Sequence, residues 1–326
     1  MNIKRNSMPY KVYGLEALLN RLPSEHSNYA YLAEELRITR AGVNGEKVLS
    51  NIFDKYTFYD EHYIFHGLNL KSSGHFQMDT LFLSKRGAFI LEMKNIAGLI
   101  SFPAEQNQLK RTLENGQVNM YECPSVQLER NQMLLDDWFK ARDFKVPIRG
   151  AVVFPKTQQQ FVNIRENLKV LFPLEIPVYL RNIEETPSVL QTQTLTSIVK
   201  ELTVAHQEYN PFPICKKYTI DSKTIKKGVR CSKCGVHGMK SISHGWACEI
   251  CNQIDRTGHI QAILERFMLI GGPMTNMQCR EFLHLSCGDK ARRLMKRMSI
   301  SYSGVNKGRI YDMRLEEIAS HLLKLE

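Results

Sequence analysis

The 326 residues contain no stretch approaching the roughly 18 consecutive apolar residues that a membrane helix needs. The most apolar segment, Phe89 to Ile100, is interrupted by Glu92 and Lys94. The N-terminus, MNIKRNSMPYK, has basic residues but no apolar core behind them, so no secretory signal is expected and the chain reads as cytoplasmic. Internal repeats and low-complexity runs are also lacking, which excludes solenoid and fibrous architectures. With 43% hydrophobic and 24% charged residues, what remains is an ordinary globular composition, long enough for two or three folded units.

Acidic residues are scarce in one region only. Residues 1 to 215 are nearly neutral, with 24 Lys and Arg against 23 Asp and Glu, whereas residues 216 to 326 hold 20 basic and 10 acidic side chains. Almost all of the net charge of +11 therefore belongs to the C-terminal third. This fits an acidic partner such as nucleic acid, with a solvated basic surface as the alternative.

Four of the eight cysteines form two C-x-x-C pairs, Cys231 with Cys234 and Cys248 with Cys251, separated by 13 residues. Such spacing suits a tetrahedral zinc ribbon in which each pair bends in a knuckle, and four sulfurs leave no open position for a catalytic water. Gly235 follows the first pair, where a knuckle favours positive φ, and Trp246 can cover the small site. Disulfides are the competing reading, disfavoured in a reducing compartment. His237 and His244 read as bystanders, and Cys123, Cys215, Cys279 and Cys287 as small buried apolar residues.

Beyond Ile260 the pattern is helical, with Ile260, Ile263, Leu264, Phe267 and Met268 on one face. Thr275 can cap a second helix. A third turns Ala291, Leu294, Met295 and Met298 inward and Arg292, Arg293, Lys296 and Arg297 outward. An alternating tail with a turn at Gly304 to Gly308 follows, carrying Lys307 and Arg309 at its tip. This is the plan of a small winged helix-turn-helix domain, with Arg292, Arg293, Lys296, Arg297, Lys307 and Arg309 as candidate DNA contacts.

The catalytic candidates lie upstream. In QMDTLFL, Asp79 is the lone acid of an expected strand 76 to 84, and a buried carboxylate is costly unless it is paired or metal-bound. The next expected strand, 88 to 95, contains Glu92 and Lys94, which share a face because strand side chains alternate. A hairpin can set Asp79 beside Glu92. Two carboxylates and an ammonium suit phosphodiester hydrolysis with Mg(II) or Mn(II) held by Asp79 and Glu92, with the Met93 carbonyl as an extra ligand.

Asp79 followed by Glu92-Met93-Lys94 resembles the D-(x)n-(D/E)-x-K signature of restriction-endonuclease-like nucleases. Gly45-Glu46-Lys47, QMDTLFLSKRGAFILEMKNIAGLI and Pro124-Ser125-Val126-Gln127 together look like the NERD, or nuclease-related, domain, in the arrangement seen in Bacillus-type members. The resemblance implies a mixed sheet flanked by helices, an α/β (α+β) fold, and a DNA-processing role. It also implies a glutamate from an N-terminal helix, matched by Glu46, and a glutamine from a later helix, matched by Gln127.

The expected organisation is an N-terminal helical extension at 1–40 packed on the nuclease core, a nuclease domain at 41–210, a linker and zinc ribbon at 211–256, and a basic winged-helix domain at 257–326. Further expected elements are helical stretches at Tyr13–Leu22 and Tyr29–Ile38 within the extension, helices at 43–57, 126–141 and 188–206, strands at 62–69 and 148–154, and a short strand at Val178-Tyr179-Leu180. The expected function is a metal-dependent nuclease acting on DNA. The rival is a catalytically idle nuclease fold that binds or regulates DNA.

Overall fold

The computed structural model describes residues 2–4, 8–103, 108–155, 160–164, 168–184 and 186–324. Through the first half the elements are β1 (Asn2–Lys4), α1 (Tyr10–Arg21), α2 (Tyr29–Lys55), β2 (His62–Lys71), β3 (His75–Ser84), β4 (Gly87–Met93), β5 (Leu99–Ser101), β6 (Gln108–Thr112), β7 (Val118–Glu122), α3 (Pro124–Lys140) and β8 (Ile148–Val153). Then come β9 (Gln160–Val162), β10 (Val170–Leu171), α4 (Glu175–Glu184), α5 (Thr192–Ala205) and α6 (Ile214–Lys217). The last third holds β11 (Lys240–Ile242), β12 (Gly245–Ala247), β13 (Ile254–Asp255), α7 (Gly258–Leu269), β14 (Met274–Thr275), α8 (Asn276–Leu283), α9 (Gly288–Arg297), β15 (Ser301–Ser303), β16 (Ile310–Asp312) and α10 (Leu315–Leu322). No helix among the described residues is long and apolar enough to cross a membrane.

The chain divides into two compact units, Met1–Met8 with Thr39–Tyr209, and Pro9–Ile38 with Asn210–Glu326. The first is built on a mixed six-stranded sheet of order β1-β2-β3-β4-β8-β10. β2, β3 and β4 form an antiparallel meander, and β4 pairs parallel with β8. Every residue of β4 is buried, as befits a central strand covered on both faces. One face packs Leu81, Ile90 and Val152 against Leu128, Leu135 and Trp138 of α3 and Leu195 and Ile198 of α5. The other packs Phe82, Phe89 and Leu91 against Ile52 and Phe53 of α2 and Ile176, Leu180 and Ile183 of α4. Truncating such a residue, Leu91 or Leu135, to alanine costs about 2 to 5 kcal/mol. A second sheet, β7-β6-β5-β9, occupies the segment after β4.

Two sequence expectations fail here. The segment Val178-Tyr179-Leu180 is helical, inside α4. Its β-branched and aromatic residues suggest a strand, but Ile176, Leu180 and Ile183 recur at helical spacing and fill the core. The helices expected at Tyr29–Ile38 and 43–57 are one helix, α2, which runs through Gly42 and Gly45. A Cβ on Gly45 would meet Met93 Cγ at 2.9 Å and Asn95 Cβ at 3.0 Å. Gly45 thus costs the helix about 1 kcal/mol relative to alanine and lets it lie against the end of β4.

In the second unit, α1 packs on α6 and α7. The sequence suggests residues 1–40 as an extension of the nuclease core, but Pro9–Ile38 groups with the C-terminal residues. The physical reason is a buried ion pair. Arg21 donates from Nε to Glu265 Oε2 at 2.5 Å and from Nη1 to the carbonyls of Lys226 at 2.8 Å and Gly228 at 3.1 Å. A lone arginine at that spacing from its partner carries no local sequence pattern. The β11-β12-β13 sheet follows, and α7, α8 and α9 with the antiparallel sheet β14-β16-β15 complete the unit. Thr275 caps α8 reciprocally with Gln278: Gln278 N donates to Thr275 Oγ1 at 3.2 Å, and Thr275 N to Gln278 Oε1 at 2.8 Å.

Candidate active site and nucleic-acid interface

The last ladder pair between β3 and β4 at this end is Thr80 with Leu91, and the same register carried one step further sets Asp79 opposite Glu92. Both then point to the α3 side of the sheet, with Lys94 two positions on. Met93 donates its backbone N–H to Asp79 Oδ2 at 2.8 Å, while Lys94 N bonds Val153 O of β8 at 2.9 Å. Because the N–H and C=O of one strand residue face the same edge, the Met93 carbonyl also faces the Asp79 side.

From above, α3 closes the array. Gln127 accepts from Lys94 Nζ through Oε1 and donates from Nε2 to Glu92 Oε2 at 3.0 Å. Asn131 donates from Nδ2 to Glu92 Oε1 and to Gln77 O, both at 2.8 Å. Asn131 is buried and lies one helical turn after Gln127, so both side chains come from one face. Sequence reasoning missed Asn131; the spacing of four from Gln127 was the available signal.

Glu92 is fully buried, and burial pushes its carboxyl up to about 8, with the Asp79 charge adding to the rise and Lys94 and Asn131 opposing it. Asp79 is also raised by burial, against the pull of Lys94 and the Met93 N–H. Yet Asp79 keeps some solvent exposure, the situation of a group deep in a cleft. Glu46 is placed differently. It follows Gly45 on α2, on the opposite layer, and its charge raises Glu92 further. The structure thus brings Asp79, Glu92, Lys94 and Gln127 into one network and sets Glu46 beside it.

The four ribbon cysteines converge, with all four sulfurs within 4.8 Å of one another. Cys231 and Cys251 sulfurs are 3.5 Å apart, as are those of Cys234 and Cys248. Tetrahedral zinc with Zn–S of about 2.3 Å needs sulfurs about 3.8 Å apart, so the cluster fits a zinc ribbon. The two knuckles match: Gly235 N bonds Cys231 O at 3.0 Å and Asn252 N bonds Cys248 O at 2.9 Å. Gly235 and Asn252 both have positive φ, 77° and 56°. Backbone N–H groups of Cys234 and Lys233 reach the Cys231 sulfur and hold its thiol down to about 6. Among the described residues this is the only group of three or more His, Cys, Asp or Glu arranged for an ion.

Cys123, Cys215 and Cys279 are buried, and burial pushes the last two thiols up to about 11 and about 12. Cys287, expected to be buried with them, is exposed, because it sits in the turn that begins α9.

Along α9, Ala291, Leu294 and Met295 are buried and the basic residues face outward. Arg292, Arg293, Lys296 and Arg309 line one groove with Tyr302 and Tyr311, and the Arg309 guanidinium lies 4.2 Å from the Tyr302 ring centroid. Arg297 lines a separate cleft. The Lys307 side chain falls outside the described residues.

Residues 41–155 match the family model of the nuclease-related domain, NERD. No curated protein and no solved structure matches the chain.

Proposed function

We propose that this chain, with its nuclease-related domain at residues 41–155, is a metal-dependent nuclease that hydrolyses phosphodiester bonds in DNA, and that its basic C-terminal unit binds the substrate. The observation that carries this reading is the Asp79–Glu92 pair with Lys94, closed by Gln127. Two carboxylates raised by burial, Glu92 further by the Asp79 charge, gain from a divalent cation. Mg(II) or Mn(II) suits them, as hard ions that take carboxylate and carbonyl oxygens, and Asp79, Glu92 and the Met93 carbonyl would hold it. When bound, such an ion lowers the pKa of a coordinated water and offsets charge on the scissile phosphate.

The chain's own groups supply the rest. Lys94 would orient the attacking water or offset developing negative charge. Gln127 fixes Lys94 and Glu92 relative to each other, and Asn131 fixes the second Glu92 oxygen. Glu46 adds negative potential from α2. The order α7, β14, α8, α9, β15, β16 is that of a winged helix-turn-helix, with α9 as the helix offered to a major groove and Arg292, Arg293, Lys296, Arg297, Lys307 and Arg309 toward the DNA. The zinc ribbon would be held by Cys231, Cys234, Cys248 and Cys251.

The test is cleavage of supercoiled and labelled linear DNA with Mg(II) or Mn(II). Glu92→Gln and Lys94→Ala should each lower the rate by about 100- to 1,000-fold or more while thermal melts stay intact. A second reading, an idle fold that binds DNA, is favoured by one observation: both Glu92 oxygens already accept amide hydrogens. Salt-sensitive DNA binding without cleavage under any metal would select it.

A further inference from the structure

We propose that the cleft between the β11–β12 hairpin and α9 is a second phosphate-binding site, which takes a phosphate of the nucleic-acid strand apart from the groove beside β15 and β16. It rests on the reading above only in requiring that the C-terminal unit bind nucleic acid. The cleft encloses about 560 Å³, and Arg256, Lys290, Arg293 and Arg297 line it over a floor formed by Trp246 and Leu294. No acidic residue is among the described residues that line it.

Three observations make it a built site. First, Lys290 is held in place by neutral groups alone: Nζ donates to Ser241 Oγ and Ile242 O, both at 2.5 Å, and lies 5.6 Å from the Trp246 ring centroid. Its charge is thus oriented without being neutralised. Second, the cations converge, since the charges of Arg297 and Lys290 both lower the proton affinity of buried His259, which also lines the cleft. The facing carboxylate, Asp255, opposes them, but its Oδ1 is committed to the N–H groups of Thr257 at 2.7 Å and Gly258 at 2.8 Å.

Third, the spacing on α9 is costly without an anion. Lys290, Arg293 and Arg297 stand at i, i+3 and i+7, and like charges at such spacing destabilise a helix. Arg292, Arg293 and Lys296 face the other groove, so Arg293 borders both. A strand can therefore place neighbouring phosphates on either side of α9. The ligand chemistry is a phosphate oxyanion, which backbone diesters and a terminal monoester both supply; guanidinium forks suit either.

The test uses full-length Glu92→Gln protein, so that cleavage does not intrude, and fluorescence anisotropy on labelled oligonucleotides with a 5′-phosphate or a 5′-hydroxyl. Arg256→Ala and Arg297→Ala are introduced singly and together; both side chains are exposed, so folding is spared. The double variant should lower affinity by about 10-fold or more near 0.15 M salt and reduce the slope of log K against log salt by about 1 to 2. A loss confined to the 5′-phosphorylated probe identifies a terminal monoester, and an equal loss on both identifies diesters. Unchanged affinity and slope in the double variant, while Arg292→Ala with Lys296→Ala weakens binding, overturns the cleft whether or not the wild-type chain cleaves. Absence of cleavage by wild type, with the double-variant effect intact, overturns the nuclease reading and leaves the cleft standing.

Discussion

Gln127 donates a hydrogen bond from Nε2 to Glu92 Oε2 at 3.0 Å, and its Oε1 accepts from Lys94. One amide thus ties the acid and the base of the candidate site together from a helix outside the sheet. Removing it should loosen both without removing either. Gln127→Ala is expected to lower cleavage about 10- to 100-fold, the size of effect seen when a supporting partner of a ligand is lost. Gln127→Glu should do worse, because it sets another carboxylate against Glu92. The kinetics of the two variants, with melts to check folding, decide it; full activity in Gln127→Ala contradicts the positioning role.

The Glu92 carboxyl titrates at about 8 in the folded chain, against 4.5 for an ordinary glutamate. Between those values the folded state holds a proton that the unfolded state has released. Without a divalent ion at the acidic pair, stability should therefore fall as pH rises from about 4.5 to about 8, by at most about 1.4 kcal/mol per pH unit. Glu92→Gln has no such proton and should flatten that part of the dependence. Urea melts of both proteins across the window test this, and identical slopes would exclude Glu92 as the source.

The polar pattern of the site was legible in the sequence because strand alternation and a short hairpin fix which side chains share a face. Asp79, Glu92 and Lys94 needed only that rule. Gln127 came from resemblance alone, since nothing local says where α3 lands, and Asn131 escaped for the same reason. The continuity of α2 was hidden because Gly42 and Gly45 look like helix breaks, whereas Gly45 is needed for close approach to Met93 and Asn95. The ribbon was legible because metal ligation imposes its own spacing. What could not be read was the placement of α1, which depends on an ion pair spanning 244 positions.

That ion pair predicts a stability effect. Arg21 and Glu265 are both buried, so Glu265→Ala leaves a guanidinium without its counter-charge. The loss should be about 3 to 5 kcal/mol, whereas replacing both residues by apolar ones of similar volume should cost far less. A fragment that starts at Asn210 lacks α1 and should melt lower and bind nucleic acid more weakly than one in which residues 9–38 are supplied. Equal melting of Glu265→Ala and wild type would place the pair among interactions of no consequence.

The cysteines separate into three environments, and each should react at its own rate with an alkylating reagent. Cys287 is exposed and outside the cluster, so in the zinc-loaded chain it should react first. Cys231, Cys234, Cys248 and Cys251 should be protected while an ion is bound, including Cys234, whose exposure would otherwise make it as reactive as Cys287. A chelator should release one zinc per chain and open these four, while Cys123, Cys215 and Cys279 stay shielded by burial until the fold is lost. Cys248→Ser should lose the metal outright and leave residues 231–251 open to protease, because a ribbon this small has little core of its own. Mass spectrometry of the labelled peptides reads all three classes at once. Rapid labelling of Cys234 before chelation would mean that the four sulfurs stand together without holding an ion.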